Sequence, residues 1–319
     1  MVTITQPSSE PAIAVCGVHK RYGALHAVNG VDLTIQRGEV FGLIGHNGAG
    51  KSTLFKMMLG LIPVSQGEIR IHGARVDGPG FREVRRRMGY LPENVVLYDN
   101  LSGLETLQFF ARLKGVPVNT CAATLERVGL THASHRAVRE YSKGMRQRLG
   151  FAQALLGQPQ VLFLDEPTTG LDPEAIRAFY ATLRDLQEQG VTLILTSHIL
   201  AELQERVDRL AIMASGKIQA VGSVQALRDQ VNMPLSITVN CAPTDASTVQ
   251  NVLAQVSGLS GLKGLPTHLL GSAAGHITVQ CPREAKMRVL ATLAGLGALV
   301  QDIHVMEPSL EDVFFGFAD

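Results

Sequence analysis

The residues from Gly45 to Ser52, GHNGAGKS, combine types and spacing that can hold phosphate, because they satisfy the pattern G-x-x-x-x-G-K-[ST]. Glycines let such a loop curl until successive backbone N–H groups converge on phosphate oxygens, and the helix that follows adds its positive end. On this reading Gly45, His46, Asn47, Gly48, Ala49 and Gly50 form the cradle, and Thr53 lies just inside the helix. Lys51 would neutralise the β- and γ-phosphates, and Ser52 would offer a hydroxyl to Mg²⁺. An apolar run, EVFGLIG, leads into the loop, and TLFKMMLG, with helical spacing, leads out of it.

Energy conversion needs acids near those phosphates, and Asp165 and Glu166 stand at the end of a second apolar run, QVLFLDE. Parallel strands deliver their carboxyl-terminal residues into one crevice, so the two acids should reach the phosphate loop. Asp165 suits Mg²⁺ binding, while Glu166 suits a general base on the attacking water. His198 ends a third apolar run, GVTLILTSH, and is placed to hold that water in line with the γ-phosphate.

The elements that must position these groups follow from periodicity. Up to about Gly222, short strand-type runs alternate with helix-type runs, the pattern of an α/β domain around a largely parallel sheet. The nearly continuous apolar runs before Gly45, Asp165 and His198 predict strands covered on both faces, whereas GVDLTI alternates as a half-exposed strand does. Between residues 94 and 157 apolar spacings of three and four predict an inserted helical subdomain, including a Ser-capped helix at YSKGMRQR, Tyr141 to Arg148. Beyond about residue 235 the phosphate-type motifs cease, and the remaining chain predicts a small α+β domain of βαββαβ type. Residues 1–12 read as a disordered N-terminal segment, followed by the main domain at 13–230.

Composition narrows the class. The chain has 319 residues with 29 basic against 28 acidic groups, a balance that argues against an electrostatic nucleic-acid binder. No stretch approaches the roughly 20 apolar residues that cross a bilayer, and the first residues lack the layout of a secretory signal. The expected location is therefore the cytoplasm, with any membrane link running through a partner. Cys16, Cys121, Cys241 and Cys281 lie far apart and predict neither a disulfide framework nor a metal site.

Phosphate loop, upstream YSKGMRQR, the acids in FLDEP and a downstream Ser-His occur in the order found in ATP-binding-cassette (ABC) ATPases, and residues 13 to 227 resemble that family. The resemblance implies a P-loop NTPase cassette that hydrolyses ATP with Mg²⁺ as a pair of head-to-tail copies. The family signature L-S-G-G-Q is matched here by Tyr141, Ser142, Lys143, Gly144 and Met145, so Ser142 and Gly144 survive. In the family this helix start faces the γ-phosphate held by the other copy. Tyr22 matches the aromatic ring that stacks on adenine, and Asp172, in TTGLDP, matches the residue that reaches across the seam. Glu93, in MGYLPEN, takes the place of a glutamine that contacts Mg²⁺ and the membrane partner, so Ser52, Glu93 and Asp165 are the implied metal ligands.

Partners follow from the same likeness: a second copy of the chain and a separate integral-membrane permease. Within the family, GYLPENVVLYDNLSGLETLQFFARLKG and YSKGMRQRLGFAQALLGQP are similar to the ATPase subunit of a system that matures the copper sites of nitrous oxide reductase, which also includes a periplasmic protein. ATPases of drug, lipid or sodium exporters share every residue named above and form the alternative. A soluble ABC protein of translation or DNA repair would carry two cassettes or a coiled-coil insertion. His304 with Met306, and His132 with His135, could tempt a copper assignment. Two ligands make a poor site, and they read instead as a core methionine and surface histidines.

Overall fold

The computed structural model describes residues 10–197, 203–231, 234–257, 268–273 and 276–306. The chain divides into two compact units, Met1–Val224 and Gln225–Asp319.

Two sheets build the first unit. One is antiparallel, from β1 (Ile13–Tyr22), β2 (Leu25–Ile35), β4 (Gln66–Ile71) and β5 (Ala74–Arg75), in the order β2-β1-β4-β5. The other comprises β3 (Val40–Ile44), β6 (Met88–Leu91), β7 (Val161–Asp165), β8 (Thr192–Ser197), β9 (Arg209–Ala214) and β10 (Lys217–Gly222), ordered β10-β9-β3-β8-β7-β6. All its pairings are parallel except that of β10 with β9. Every residue of β3, β7 and β8 is buried, as the continuous apolar runs predict for strands covered on both faces. β2 instead alternates over Val31–Ile35, with Asp32 and Thr34 outward.

One core joins the sheets. Residues of β1, β2 and β4 pack with Phe41, Leu43, Phe163 and Ile194 of the parallel sheet and with α1 (Lys51–Met58). Phe55 of α1 meets Phe163 edge-on, ring centroids 5.5 Å apart. Each such ring contributes about 2–3 kcal/mol by burial, which fixes the helix that begins at Lys51 against the sheet. The core also reaches before β1. Ala12 is fully buried and its carbonyl accepts from the His72 N–H at 2.8 Å, while Glu10 pairs with Arg37. Glu10 to Ala12 are therefore ordered, contrary to the expectation of a disordered segment through residue 12, because backbone pairing and burial extend beyond β1.

After α2 (Phe81–Arg86), whose Glu83 pairs with Arg86 and Arg87 on a solvated face, comes the helical insertion of α3 (Gly103–Lys114), α4 (Cys121–Arg127) and α5 (Lys143–Leu155). α3 starts with a reciprocal Ser102–Glu105 capping box and ends on left-handed Gly115. Tyr141, where the family signature has leucine, is a core residue: its hydroxyl donates to the Ala133 carbonyl at 2.6 Å, and it fills the space beside Gly103. Lys114 ties the insertion to the sheet, its Nζ donating to the carbonyls of Met88 (3.0 Å) and Leu156 (2.6 Å). Burial lowers its pKa to about 8. α6 (Pro173–Glu188) then leads to β8.

The second unit opens within α7 (Val224–Val231), whose Asp229 pairs with Arg283. β11 (Leu235–Asn240), α8 (Ala246–Ser257), β12 (His268–Ala273), β13 (His276–Cys281), α9 (Lys286–Gly295) and β14 (Asp302–Met306) follow. The antiparallel order β12-β13-β11-β14 is that of a ferredoxin-like βαββαβ unit. Ile237, Val239, Ile277 and Val279 pack with Val249, Leu253, Val289 and Leu293 of its helices. Met306 is 54% exposed, not a core residue as its apolar type suggests, because it shares the outward register of His304 on β14. His132 and His135 are also exposed. Among the described residues, no helix is long and apolar enough to cross a membrane.

Candidate nucleotide site

Because β3, β7 and β8 are parallel, their carboxyl ends share one edge of the sheet, with Ile44 beside Ser197 and Asp165 beside Thr196. The phosphate-type loop leaves β3 at this edge. Gly48 (φ 86°) and Gly50 (φ 105°) adopt backbone that side chains disfavour, and a Cβ on Gly50 would lie 2.4 Å from the Ala27 carbonyl oxygen. Gly50 also starts α1 without a side-chain cap and with no acid in the first turn. The leading N–H groups of the helix thus keep their positive potential for an anion.

Lys51 is 7% exposed, and its Nζ donates to the carbonyls of Gly45 (2.6 Å) and His46 (3.2 Å). Burial pulls its pKa below the usual lysine value, against the opposing pull of Glu166, Asp165 and Glu93. Three carboxylates therefore lie within electrostatic reach of one ammonium. Asp165, also 7% exposed, is pushed up by burial; the Thr196 hydrogen bond, Lys51 and Lys56 oppose this, and Glu93 reinforces it. Tyr90, on neighbouring β6, is pushed up to about 12 by burial, then by Asp165 and Glu93.

Thr196 is a site residue that sequence reading missed, since it sits inside the apolar run TLILTSH. Its buried hydroxyl donates to Asp165 Oδ1 at 2.6 Å and accepts from the Glu166 N–H at 2.9 Å. That pair of bonds holds a strand end where Glu166 takes a left-handed φ of 48°, strain that a non-glycine residue keeps only when its surroundings impose it. His198 lies outside the described residues.

A second group gathers around Gly170. Ser142 caps α5, its Oγ accepting from the Met145 N–H at 3.2 Å, and both it and Lys143 are exposed. The aliphatic stem of Lys143 lies over Gly170, within 2.7 Å of where a Cβ there would stand, so part of this variant residue packs inside its own chain. A Cβ on Gly144 would come no closer than 3.4 Å, to the Gly170 carbonyl oxygen, so nothing in the fold itself requires glycine there. Asp172 caps α6 by accepting from the Ala175 N–H at 2.8 Å. Gln147, a second residue that sequence reading passed over, is buried and donates to the Pro167 carbonyl at 3.1 Å. It joins α5 to the loop directly after Glu166. Its only sequence signal is a neutral amide inside a basic turn. Tyr22 ends β1, half exposed, with Lys20 Nζ 5.1 Å from its ring centre.

The donor set suits Mg²⁺: an exposed Ser52 hydroxyl and the carboxylates of Asp165 and Glu93 are hard oxygen groups of the kind that ion takes.

A parallel sheet with a phosphate-type loop, adjacent strand-end acids and an inserted helical subdomain defines a P-loop ATPase cassette. A family profile described as "ABC transporter" matches residues 28–169. The chain is 37% identical over 289 residues to an uncharacterized ABC transporter ATP-binding protein, YhcH, of Bacillus subtilis, spanning 90% of this chain and 89% of that protein. It is 33% identical to a daunorubicin resistance ATP-binding protein of Streptomyces coeruleorubidus, over 96% of this chain and 95% of that one. A solved ATP-binding subunit of an ABC transporter superposes with TM-score 0.64 at 33% identity, covering 69% of this chain and 92% of that structure. The chain belongs to the ABC transporter ATP-binding proteins and is an ATP-hydrolysing cassette. Cassettes of this family bind ATP or ADP, dimerise and pair with membrane permeases.

Proposed function

We propose that this chain is the energy-supplying subunit of an ABC transporter, working as a pair of copies beneath a separate integral-membrane permease. The observation that carries the reading is Lys51 set at the loop with Asp165, Glu166 and Glu93 in electrostatic reach, at the edge where parallel strands end. Gly45 to Thr53 cradle the phosphates, Lys51 exchanges its loop carbonyls for phosphate oxygens, and Tyr22 stacks on adenine. Ser142 and Gly144 of one copy face the γ-phosphate held at Lys51 of the other, with Asp172 at the seam. Ser52, Asp165 and Glu93 would hold Mg²⁺, which would supply positive charge to offset that of the triphosphate. Glu166 accepts a proton from the attacking water, whose oxygen bonds to the γ-phosphorus as the bond to the bridging oxygen breaks, and His198 orients that water. ATP binding closes the two copies; ADP and phosphate release reopens them, moving the permease.

The chain would then sit on the cytoplasmic face of the membrane. Two cargo readings stand as alternatives. The runs around Glu93 and Ser142 resemble NosF, which would make the partners a NosY-like permease and a NosD-like periplasmic protein in copper-centre assembly of nitrous oxide reductase. The daunorubicin resistance relative supports drug export about as well, and a human phospholipid-transporting ATPase, 35% identical over 94% of this chain, supports lipid export; a sodium exporter of the same subfamily shares the same site residues. Co-purification of the full chain with the membrane protein encoded beside it tests the transporter reading, which fails if no integral-membrane subunit is retained. Deleting the gene separates the cargoes: copper-deficient nitrous oxide reductase supports the first, and drug hypersensitivity with an intact reductase supports the second.

A further inference from the structure

Beyond His19, β1 outruns its neighbour β4, whose pairing stops at Gln66 opposite His19. The loop that leaves α1 holds the strand end on that side instead. The Ser65 N–H donates to the His19 carbonyl at 2.8 Å, the Arg21 N–H donates to Ser65 Oγ at 3.1 Å, and Lys20 Nζ donates to the Pro63 carbonyl at 2.7 Å. On the other side the pairing with β2 passes from Lys20–Val28 to Arg21–His26 and skips Ala27, a bulge of the kind that re-aims side chains. The carbonyl of that skipped residue is the one against which Gly50 of the phosphate loop packs. Tyr22 therefore stands on a strand end fastened, directly or through β2, to both ends of α1.

Lys20 Nζ lies 5.1 Å from the centre of the Tyr22 ring, within the range at which an ammonium is drawn to an aromatic face. Its bond to Pro63 keeps the ammonium there, and the ring remains 50% exposed, with area free for a flat partner. A half-exposed tyrosine on a strand end has several rotamers open to it. Fixing one of them before the nucleotide arrives removes that ordering from the cost of binding. We propose that Lys20 is a positioning residue, which holds the Tyr22 ring in the orientation that receives the adenine base. The inference rests on the reading of Tyr22 as the adenine platform, and Lys20 acts through that ring and not on the phosphates.

The test is a double-mutant cycle on the full-length protein, read as the dissociation constant of the non-hydrolysable analogue AMP-PNP in MgCl₂ by calorimetric titration. Lys20→Met keeps the stem, removes the charge and should weaken binding about threefold, the scale of an exposed cation–π contact. Lys20→Arg retains a cation and an N–H donor and should stay within about 1.5-fold of the natural protein. In a Tyr22→Ala background Lys20→Met should cost less than about 1.5-fold, since no ring remains to be held. The proposal is overturned if Lys20→Met binds as the natural protein does, or if Lys20→Arg loses as much as Lys20→Met. It is also overturned if the threefold loss (about the same factor) persists beside Tyr22→Ala, because Lys20 would then act on the phosphates or on the fold. Tyr22→Ala alone separates the two levels: full affinity in that variant would sink the adenine reading itself. Weakened binding there, beside an unchanged Lys20→Met, would remove only the role of Lys20.

Discussion

The two ends of the six-stranded sheet carry polar residues in comparable numbers and use them in opposite ways. At the amino-terminal end the groups satisfy one another. Glu39, 7% exposed, accepts from Arg209 at 3.1 Å and from the Gln36 N–H at 2.6 Å. Asp208 Oδ2 accepts from the Val40 N–H and from Gln187 Nε2, each at 2.8 Å, and the Gly38 N–H donates to Thr192 Oγ1 at 3.0 Å. At the carboxyl end Lys51 is buried against loop carbonyls, Asp165 is pushed up by burial, and Glu166 sits on left-handed backbone. One end is closed by internal partners, as a structural network should be. The other keeps charge and strain that a ligand can relieve, which is the physical mark of a site.

That contrast can be broken most severely at Glu166. Glu166→Gln should lower ATP turnover by at least about 100-fold while leaving nucleotide binding and thermal stability intact. Gel filtration with ATP should then show a trapped dimer; normal hydrolysis by the variant would remove Glu166 from the role of base. Thr196→Val lies on the boundary between the two kinds of network. Losing its hydroxyl strips a hydrogen bond from both Asp165 and the Glu166 N–H, so chemical denaturation should show a loss of about 1–3 kcal/mol together with reduced turnover. An unchanged rate would make Thr196 purely structural.

At the opposite end, Asp208→Ala should cost stability of about 1–3 kcal/mol by leaving the Val40 N–H without its carboxylate, yet ATP affinity should not move. A parallel loss of affinity would show that the two ends are not independent. An effect confined to alkaline pH concerns Lys114, held at about 8 by burial against an ordinary 10.5. The unfolded chain binds more protons between these values, so this residue's contribution to stability rises with pH from about 8 to 10.5. Melting temperatures of the natural protein and Lys114→Met should diverge over that window in favour of the natural protein. A constant difference would contradict the shift.

Much of this contrast is legible in the chain before folding. Continuous apolar runs mark strands buried on both faces, and the residue at the end of each run is a site candidate because parallel strands end together. Thr196 escapes this reasoning because one hydroxyl inside an apolar run looks like a β-branched core residue, and only the register with β7 places it against Asp165. Gln147 escapes for a related reason: its partner, the Pro167 carbonyl, is 20 residues away. Met306 misleads in the other direction, since apolar type predicts burial and strand register decides which face it takes.

The same division holds at YSKGMRQR. Local sequence determines that Ser142 caps a helix there, because its hydroxyl needs only the N–H three residues on. Tertiary structure alone decides that Tyr141 fills the space beside Gly103 and that the Lys143 stem lies across Gly170. Sequence by itself determined the phosphate loop, the two acids and the α/β class, since these depend on short-range spacing and on hydrophobic period. Which charges face one another, Glu93 against Lys51 and Asp165 above all, was decided only by the fold, because that proximity is a property of strand order and not of distance along the chain.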